Sequence, residues 1–436
     1  MWRKSPIFAE MKHFEHMKHL LATLGICLAV VAGCSPQEKP DPEPLPPEPE
    51  PVPHEVEDPD PQDSEFEPAS EAIVHMGAGW NLGNTLDSNS GSLDNMWIEA
   101  WTDRTPKDYE TAWGQPQATR ELFHMFKEAG FGGIRVPVTW YPHMGTVTLY
   151  DSTKWDPSTW TGTEVDPVWM ARVKEVVDDV LAEGLYCILN VHHDTGAADT
   201  AWLVAGEEGY EAAKTRYRAL WEQIAETFRD YGGKLWFESY NEMLDKYDSW
   251  CFASYAAPGY YDAAVAASAY SGINQYAKLF VETVRGTGGN NARRNLVVNT
   301  YGACSGDGTW NAHLQDPLKE FQLPEAPGHI AVQIHSYWDA TKFESQKKEI
   351  DQLFTNIGTY LQERLGVPVI IGEWGGGSSS DTYENARFAS YFSTKAKESG
   401  VAAFYWMGLS DGKDRSVPQW TMTKTKNAIL QPYLDE

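Results

Sequence analysis

Short apolar runs alternate with amphipathic segments along the chain from about residue 69 onward. The runs have strand length and are rich in β-branched and aromatic residues, which is typical of buried β-strands. Between them, apolar residues recur at helical spacing, which predicts helices with one buried face. We predict strands over residues 77–82, 133–138, 186–191, 235–240, 296–300, 330–334, 367–372 and 402–406. We predict helices over residues 117–128, 169–183, 210–231, 271–285, 344–365 and 383–399, and a closing helix over 423–433.

This alternation predicts an α/β fold, a (β/α)8 TIM barrel with enlarged βα loops. The fifth crossover has the weakest pattern, since only residues 311–321 offer a short helix there. A doubly wound open sheet is the alternative arrangement of the same elements. Such a sheet would carry a glycine-rich phosphate loop after its first strand, and residues 79–84 lack the required glycine spacing. The barrel is therefore favoured.

Residues 1–33 have the pattern of an export signal. Lys12 and Lys18 precede an apolar run over residues 20–31, and small residues stand directly before Cys34. The run is too short to span a bilayer as a mature helix, so we interpret residues 1–33 as a signal peptide. The residues before Cys34 resemble a bacterial lipobox, which makes this cysteine the lipidated first residue. The alternatives are an ordinary secretory signal with an incidental cysteine, and Met17 as the true start.

Residues 34–68 form a segment of different composition. Pro, Asp and Glu dominate it and apolar residues are almost absent, so it cannot bury enough surface to offset chain entropy. We predict an extended, disordered linker that holds the catalytic domain, residues 69–436, away from a membrane. The whole chain is thus expected to be exported and anchored by lipid at Cys34 to the bacterial cell envelope, on the surface of the outer membrane.

Overall composition narrows the class of partner. Aromatic residues make up 13% of the chain and 18 residues are Trp, a content found in clefts that stack sugar rings as well as in cores. The formal net charge is −27, which disfavours nucleic acid because binding its phosphates requires a basic patch. A neutral polymer is not disfavoured, and we expect the protein to act as a monomer.

Cysteine usage does not indicate a disulfide framework. If Cys34 is lipidated and the signal is removed, Cys187, Cys251 and Cys304 remain, a sparse and odd set. Cys187 lies inside a predicted strand and reads as a small buried hydrophobe. Cys251 and Cys304 lie in predicted loops and could pair.

Two predicted strands end in a glutamate. Residues 235–240 are followed by Asn241 and Glu242, and residues 367–372 are followed by Glu373. A buried carboxylate is costly unless it is paired or used. One such glutamate alone is most simply a salt-bridged strand end. Two of them in a long α/β chain are what a retaining glycosidase requires, one as acid/base and one as nucleophile.

Other polar and aromatic residues also stand at the ends of predicted strands. In a barrel these carboxyl ends meet at one face, where active sites are built. The residues at these ends are Asn81, Arg135, His192, His193, Asp194, His335, Tyr337, Trp338 and Trp406. Their convergence at one end of the barrel favours a catalytic site over a purely structural role.

Taken in order, these motifs resemble glycoside hydrolase family 5, and most closely its endo-β-1,4-glucanases. The motifs are Gly79-Trp80-Asn81-Leu82-Gly83-Asn84-Thr85, Arg135, His192-His193-Asp194, Asn241-Glu242, His335-Ser336-Tyr337 and Gly372-Glu373-Trp374-Gly375. The resemblance covers about residues 72–434. It implies a barrel, retaining hydrolysis of a β-linked polysaccharide or oligosaccharide, and no metal or organic cofactor.

The resemblance also implies roles for the central residues. Glu242 corresponds to the acid/base and must be protonated, a state that burial and the second carboxylate favour. Glu373 corresponds to the nucleophile and must be ionised, which Arg135 or a hydrogen bond from Tyr337 would support. Asn241 corresponds to the residue that bonds the sugar 2-hydroxyl.

The remaining residues are expected to orient the substrate. His192 and His335 resemble the pair that orients the carboxylates and the reacting sugar, and Trp406 resembles the platform beneath that sugar. Adjacent histidines on a strand point to opposite faces, so His192 and His193 should not share a metal ion, and His192 is favoured for the cleft. Trp338 and other loop tryptophans are candidates for glycan subsites.

The sequence leaves the preferred sugar open. After Trp406 the chain continues Met407-Gly408-Leu409, where many relatives have an acidic residue and an amide. Xyloglucanase, mannanase and mixed-linkage glucanase are therefore alternatives to β-1,4-glucanase. A non-catalytic glycan-binding lipoprotein is an alternative of another class, which the intact Glu242 and Glu373 disfavour. A metal-dependent hydrolase would need more converging His and Asp ligands than the sequence provides.

Overall fold

The structure is a computed structural model that describes residues 66–255, 260–377, 380–410 and 418–434. The predicted signal peptide, Cys34 and most of the predicted linker lie outside the described residues. Within the described part of the chain, none of the helices combines the length and apolar character needed to cross a bilayer.

A closed barrel of eight parallel strands forms the centre of the domain. Its strands, with two strands of a separate hairpin included in the numbering, are β1 (Ala78–Asn81), β2 (Gly133–Val136), β3 (Leu149–Asp151), β4 (Lys154–Trp155), β5 (Tyr186–Asn190), β6 (Leu235–Glu238), β7 (Leu296–Asn299), β8 (Ile330–Tyr337), β9 (Val369–Gly375) and β10 (Ala402–Tyr405). The order around the barrel is β1-β10-β9-β8-β7-β6-β5-β2, and β3 pairs only with β4. All eight predicted strands are present, so the predicted barrel is confirmed.

Helices surround the barrel in the predicted order. They are α1 (Ala69–Met76), α2 (Trp97–Trp101), α3 (Pro106–Glu110), α4 (Arg120–Ala129), α5 (Pro167–Ala182), α6 (Glu207–Thr227), α7 (Ala263–Gly286), α8 (Asp316–Lys319), α9 (Phe343–Asn356), α10 (Tyr383–Glu398) and α11 (Thr423–Leu434). A π-helical turn, Ile357–Glu363, continues α9. Short 3-10 turns lie at Tyr141–His143, Pro157–Thr159, Gly289–Ala292, Tyr301–Ala303 and Ala340–Lys342.

The structure differs from the sequence prediction mainly in its short elements. Helix α1, the small helices α2 and α3 and the β3–β4 hairpin were not predicted, because they are too short to establish a periodic pattern. The predicted fifth helix over residues 311–321 is reduced to α8 (Asp316–Lys319). As a result, the crossover between β7 and β8 covers less of the barrel flank than the other crossovers do.

Helix α1 closes the amino-terminal end of the barrel. Its buried face packs with inward side chains of the strands, among them Ile188, Trp236 and Val297, in one apolar cluster. Successive inward positions on a strand are two residues apart. The next inward layer, toward the carboxyl ends, therefore contains Asn190, Glu238 and Asn299, one each from β5, β6 and β7. The barrel interior changes from apolar to polar at that layer, and the candidate site lies there.

Candidate active site

Arg135 is the centre of the polar layer inside the barrel. It is completely buried on β2, and its Nε and Nη2 donate to the two carboxylate oxygens of Glu238 at 2.6 and 2.7 Å. Asn190 and Asn299 add amide hydrogen bonds to Glu238 Oε1 at 3.1 and 3.2 Å. Burial acts to raise the pKa of Glu238, but the charge and hydrogen bonds of Arg135 outweigh it, and the pKa is lowered. Arg135 and Glu238 thus form a buried ion pair with both oxygens satisfied.

The remaining N–H groups of Arg135 face the carboxyl end of the barrel. Nη1 donates to Glu373 Oε1 at 2.8 Å and to Asn81 Oδ1 at 2.9 Å, and Nη2 donates to Asn241 Oδ1 at 2.9 Å. With the two bonds to Glu238, all five guanidinium donors have acceptors. Burial acts to lower the pKa of Arg135, but Glu238 and Glu373 hold it above its ordinary value. Arg135 is therefore a permanent cation that fixes Glu373 and Asn241 together.

A β-bulge delivers Glu373 to the barrel interior. Ile334 pairs with Ile371, but the next residue of β8, His335, pairs with Glu373, so that Gly372 is the extra residue. A Cβ atom at Gly372 would lie 2.2 Å from the side-chain amide of Gln333, which requires glycine at this position. Without the bulge, strict alternation would place Glu373 on the outer face of the barrel.

Both oxygens of Glu373 accept hydrogen bonds. Oε1 accepts from Arg135, and Oε2 accepts from the Tyr337 hydroxyl at 2.6 Å. Burial and the adjacent carboxylates hold the pKa of Tyr337 well above its usual value, so its hydroxyl keeps the proton that it donates. Two donors, one of them a cation, stabilise the ionised form of Glu373.

His335 bridges Glu373 and Glu242. The Gln333 amide nitrogen lies 3.4 Å from His335 Nε2; since an amide nitrogen only donates, this assigns the proton of the ring to Nδ1. Nδ1 then donates to Glu242 Oε1 at 2.8 Å and lies 3.6 Å from Glu373 Oε2. One oxygen from each glutamate and a ring nitrogen of His335 all lie within 4.8 Å of one another. The two carboxylates therefore face each other across a narrow gap.

Buried contacts hold the segment that presents Glu242. The Ser239 carbonyl oxygen accepts hydrogen bonds from Tyr217 and Trp221, and the Tyr240 hydroxyl donates to the Asn299 carbonyl oxygen. The side chain of Glu242 is 22% exposed, whereas that of Glu373 is 6% exposed. Glu242 is thus the glutamate that solvent reaches more easily.

His192 lies beside Glu373 and Trp406. Asn190 Nδ2 donates to His192 Nδ1 at 3.0 Å, which leaves Nε2 as the protonated nitrogen, and Nε2 is 3.8 Å from Glu373 Oε1. Burial, with the nearby His193 and Arg135, keeps the pKa of His192 well below its usual value, so the ring is neutral. The imidazole and the Trp406 indole are nearly parallel, with ring centres 5.7 Å apart.

The expected separation of His192 from His193 is wrong. Their rings are 4.5 Å apart, and ligand atoms of both residues and Asp87 lie within 4.8 Å of one another. Strand β5 ends at Asn190, so strand alternation does not apply to the two histidines that follow it. His193 is partly exposed and lies between Asp87 Oδ2, at 3.6 Å, and the Trp113 ring. The argument that strand geometry prevents the two histidines from sharing an ion therefore fails.

Two of the residues singled out in the sequence lie behind the site. Asn81 is fully buried, and its amide nitrogen donates to the carbonyl oxygens of Gly372, Phe404 and Tyr405. Trp338 is 7% exposed, packs in the core, and donates from Nε1 to Ser336 Oγ. These side chains brace the strand ends.

Sequence reasoning missed the residues beneath the carboxylates. Glu238, Asn190, Asn299 and Gln333 were not singled out, although each supports a residue that was. Their signal was the period-two position relative to an inward residue, as Glu238 stands two positions after Trp236. That signal requires the inner face of each strand to be known beforehand.

All cysteines among the described residues are free thiols. Cys187 and Cys304 are buried and Cys251 is partly exposed. The structure thus shows Cys251 and Cys304 in the reduced state.

Comparisons with known proteins agree on one family. Residues 99–411 match the family model for cellulase (glycosyl hydrolase family 5). The chain is 32% identical over 384 residues to Endoglucanase B of Neocallimastix patriciarum, covering 83% of this chain and 71% of that protein. Two solved structures are similar. A GH5-4 broad specificity endoglucanase from an uncultured bacterium has 48% identity and a TM-score of 0.76, covering 85% of this chain and 98% of that one. A glycoside hydrolase family 5 enzyme from Prevotella bryantii B14, in complex with a xyloglucan tetradecasaccharide, has 36% identity and a TM-score of 0.70, covering 85% and 99%.

Proposed function

The chain belongs to glycoside hydrolase family 5, and from this premise we propose that it is a retaining, endo-acting β-1,4-glucanase. In this proposal Glu242 is the general acid/base and Glu373 is the nucleophile. The enzyme would cleave internal linkages of cellulose-type chains by a double displacement.

The closeness of the two carboxylates carries this proposal. Retaining glycosidases hold their carboxyl groups about 5–5.5 Å apart, while inverting enzymes need about 6.5–9.5 Å to admit a water molecule between acid and base. Oxygens of Glu242 and Glu373 lie within 4.8 Å of each other. That distance favours direct attack by a carboxylate on the anomeric carbon.

In the first step, Glu373 attacks the anomeric carbon while Glu242 protonates the departing glycosidic oxygen. Arg135 and Tyr337 keep Glu373 ionised and fix its orientation, so little reorganisation is needed as the covalent glycosyl-enzyme forms. The Arg135 charge is itself balanced by Glu238, which prevents Glu373 from carrying the whole ion pair.

In the second step, Glu242 acts as a base and removes a proton from water, which attacks the anomeric carbon and releases Glu373. The partial exposure of Glu242 allows water to reach it after the leaving sugar departs. His335 Nδ1–H donates to Glu242 Oε1 and can hold the carboxylate in place in both steps.

Neighbouring side chains are placed to bind the sugar. Asn241 Oδ1 is occupied by Arg135, so we assign its amide N–H groups to the sugar 2-hydroxyl. Trp406 provides an aromatic face for the sugar at the cleavage point, and the parallel His192 ring supports it. A Cβ atom at Gly83 would lie 2.9 Å from the Trp406 indole, so Gly83 allows the platform to sit close to β1.

The glycan preference is a second part of the proposal. β-1,4-Glucan is the leading substrate, and xyloglucan is the favoured alternative because a relative with 36% identity was solved with a xyloglucan tetradecasaccharide bound. A purely glycan-binding protein is disfavoured because both carboxylates are present and held by hydrogen bonds from other side chains.

Substitution of Glu373 by Gln tests the catalytic assignment. The variant should fold, bind glycan and lose hydrolysis, because the amide cannot attack the anomeric carbon. Glu110→Gln is the control, since Glu110 is equally buried and paired with Arg172 elsewhere. Sustained turnover by Glu373→Gln would remove Glu373 from its role.

Stereochemistry and product size test the mechanism and the substrate. Proton NMR during early hydrolysis should show the β-anomer first, and initial release of the α-anomer would contradict retention. Carboxymethylcellulose, xyloglucan, glucomannan and mixed-linkage glucan should be compared, with sizing of the products. Early products of intermediate length would support endo action.

We also propose that the protein is exported and anchored by lipid at Cys34. The composition of residues 1–68 supports this. Cys34→Ser should move the protein from the membrane fraction to the soluble exported fraction and abolish labelling by radioactive palmitate. Unchanged membrane association and labelling would refute the anchor.

A further inference from the structure

A groove of about 500 Å³ lies on the flank of the barrel and shares no lining residue with the carboxylate site. One wall is formed by α7, from Ala263 to Lys278, and the other includes Asp316 and Glu320. The groove exists because the fifth crossover contains only the four-residue helix α8. A full helix there would cover this flank of α7.

A tyrosine with a fixed ring orientation stands in the groove. The Tyr261 ring lies parallel to the His313 imidazole, with 3.6 Å between ring centres and 6° between planes. His313 Nδ1 is in turn 2.7 Å from Asp316 Oδ2. Tyr261 remains 38% exposed and lines the groove. One face of the ring is therefore supported from behind, and the remainder is available to a ligand without loss of side-chain freedom on binding.

Further aromatic rings connect His313 with the face of the barrel that carries the carboxylates. Phe252 is 6.0 Å from His313 and 5.9 Å from Trp310, and Tyr255 is 5.9 Å from Trp310. These rings belong to the loops that follow β6 and β7, and β6 leads directly to Glu242. Trp310 is 48% exposed. Exposed aromatic surface thus extends from the loops around the site toward the groove.

The walls of the groove fit a neutral, hydroxyl-rich chain. Amide groups of Asn274, Gln275 and Gln322 stand with the carboxylates of Asp316 and Glu320 and one lysine, Lys278. This set mixes hydrogen-bond donors and acceptors and has no excess of positive charge, which disfavours an anionic ligand. Alanines at 263, 266 and 267 leave room beside the tyrosine. The wall from Ala263 to Lys278 is about 22 Å long, sufficient for several sugar rings in a row.

We propose that this groove is a second binding site for a β-linked glucan chain, with Tyr261 as its stacking platform. The ligand class rests on the proposed function, but the site does not take part in catalysis. It would hold a stretch of polymer while another stretch occupies the carboxylate site. Its contribution should therefore appear with polysaccharides and be absent with short oligosaccharides.

Tyr261→Ala tests the groove in the full chain. Loss of one aromatic contact is worth about 0.5–1.5 kcal/mol, so affinity for soluble β-glucan in gel-retardation electrophoresis should weaken roughly two- to tenfold. KM for the polymer should rise by a similar factor, while kcat/KM for a cello-oligosaccharide of four sugars should not change. Ala267→Arg, which places a long charged side chain in the groove, should have the same effect.

Tyr383→Ala is the matched control, because Tyr383 is a highly exposed tyrosine at the start of α10, outside the groove. Equal retardation and polymer KM in the parent, Tyr261→Ala and Ala267→Arg proteins would overturn the groove proposal. A parallel loss of activity on the short oligosaccharide would also overturn it, since the groove would then belong to the catalytic site. Failure of the parent to cleave any β-glucan would count against the proposed function, and the retardation assay would still decide the groove.

Discussion

Glu238 is the buried carboxylate on which Arg135 rests, and Glu238→Gln tests whether this pair positions the proposed nucleophile. Glu238 Oε1 accepts from Arg135 and from two asparagine amides, whereas Oε2 accepts from Arg135 Nε alone. A glutamine could retain the Oε1 contacts, but its NH2 would then face the Arg135 Nε–H. The variant therefore loses a charge-assisted hydrogen bond, creates a donor–donor contact, and removes one of the two counter-charges of Arg135.

The expected loss of stability follows from this geometry. Removal of one partner of a buried ion pair costs about 3–5 kcal/mol. Arg135 keeps Glu373 as a counter-ion, so we expect the lower end, about 3 kcal/mol. A domain of this size has an unfolding entropy of roughly 0.8 kcal/mol/K, so the melting midpoint should fall by about 4 °C. The variant should remain folded at 25 °C, where activity can be measured.

The expected effect on catalysis concerns Glu373. Without Glu238, the full charge of Arg135 acts on Glu373, which becomes harder to protonate and less nucleophilic. The acidic limb of the kcat/KM profile should shift to lower pH, and kcat at the optimum should fall. A role limited to stability would change neither quantity in the folded enzyme.

Glu110→Gln is the matched control for this experiment. Glu110 is fully buried and accepts two hydrogen bonds from Arg172, at 3.0 and 2.8 Å, away from the site. This variant should show a comparable fall in melting midpoint with an unchanged pH profile. If Glu238→Gln gives the same pH profile and kcat as Glu110→Gln, the reasoning about Arg135 and Glu373 is refuted.

Three further predictions follow from individual contacts. Tyr337→Phe removes the hydroxyl that donates to Glu373 Oε2; such a bond to a charged group is worth about 1.5–3 kcal/mol, so kcat/KM should fall roughly 10- to 100-fold with little change in melting midpoint, and an unchanged rate would contradict the contact. Gly372→Ala places a Cβ atom 2.2 Å from the Gln333 amide and should cost about 1–3 kcal/mol of unfolding free energy together with most activity, whereas Gly358→Ala, where a Cβ meets open space, should do neither; equal behaviour of the two would argue against the bulge. Burial lowers the pKa of His143 well below its usual 6.5, so the unfolded chain takes up a proton that the folded chain does not, and stability is lost as the pH falls below 6.5. His143→Phe, which keeps the stack on Trp169, should therefore reduce the loss of unfolding free energy between pH 7 and pH 5 by up to about 2 kcal/mol, and an equal loss in both proteins would refute the assignment.

The barrel and its two central glutamates were predictable from the chain alone. Each strand is a short apolar run, and the patterns of β6 and β9 end at the residues that supply Glu242 and Glu373. Because the strands of a barrel are parallel, knowing where each run ends also locates one common face. The long helices were equally visible, since their apolar spacing persists over several turns.

Contacts across the barrel depended on tertiary structure. Arg135 was expected to support a carboxylate at the site, and it does contact Glu373, but its two-bond partner is Glu238, a residue that the sequence did not single out. The choice between two glutamates on different strands depends on how β2 faces β6 and β9 across the closed barrel. A linear pattern contains no information about that geometry.

The direction of individual side chains was also decided by the fold. Strict alternation along β9 would turn Glu373 outward, and only the bulge at Gly372 against Gln333 of β8 turns it inward. His192 and His193 lie side by side because β5 has already ended at Asn190. Local hydrophobic pattern determines which residues form a strand, because burial acts on each segment separately. The register between strands and the positions of their bulges and ends arise only when the barrel closes, and they determine which polar groups meet.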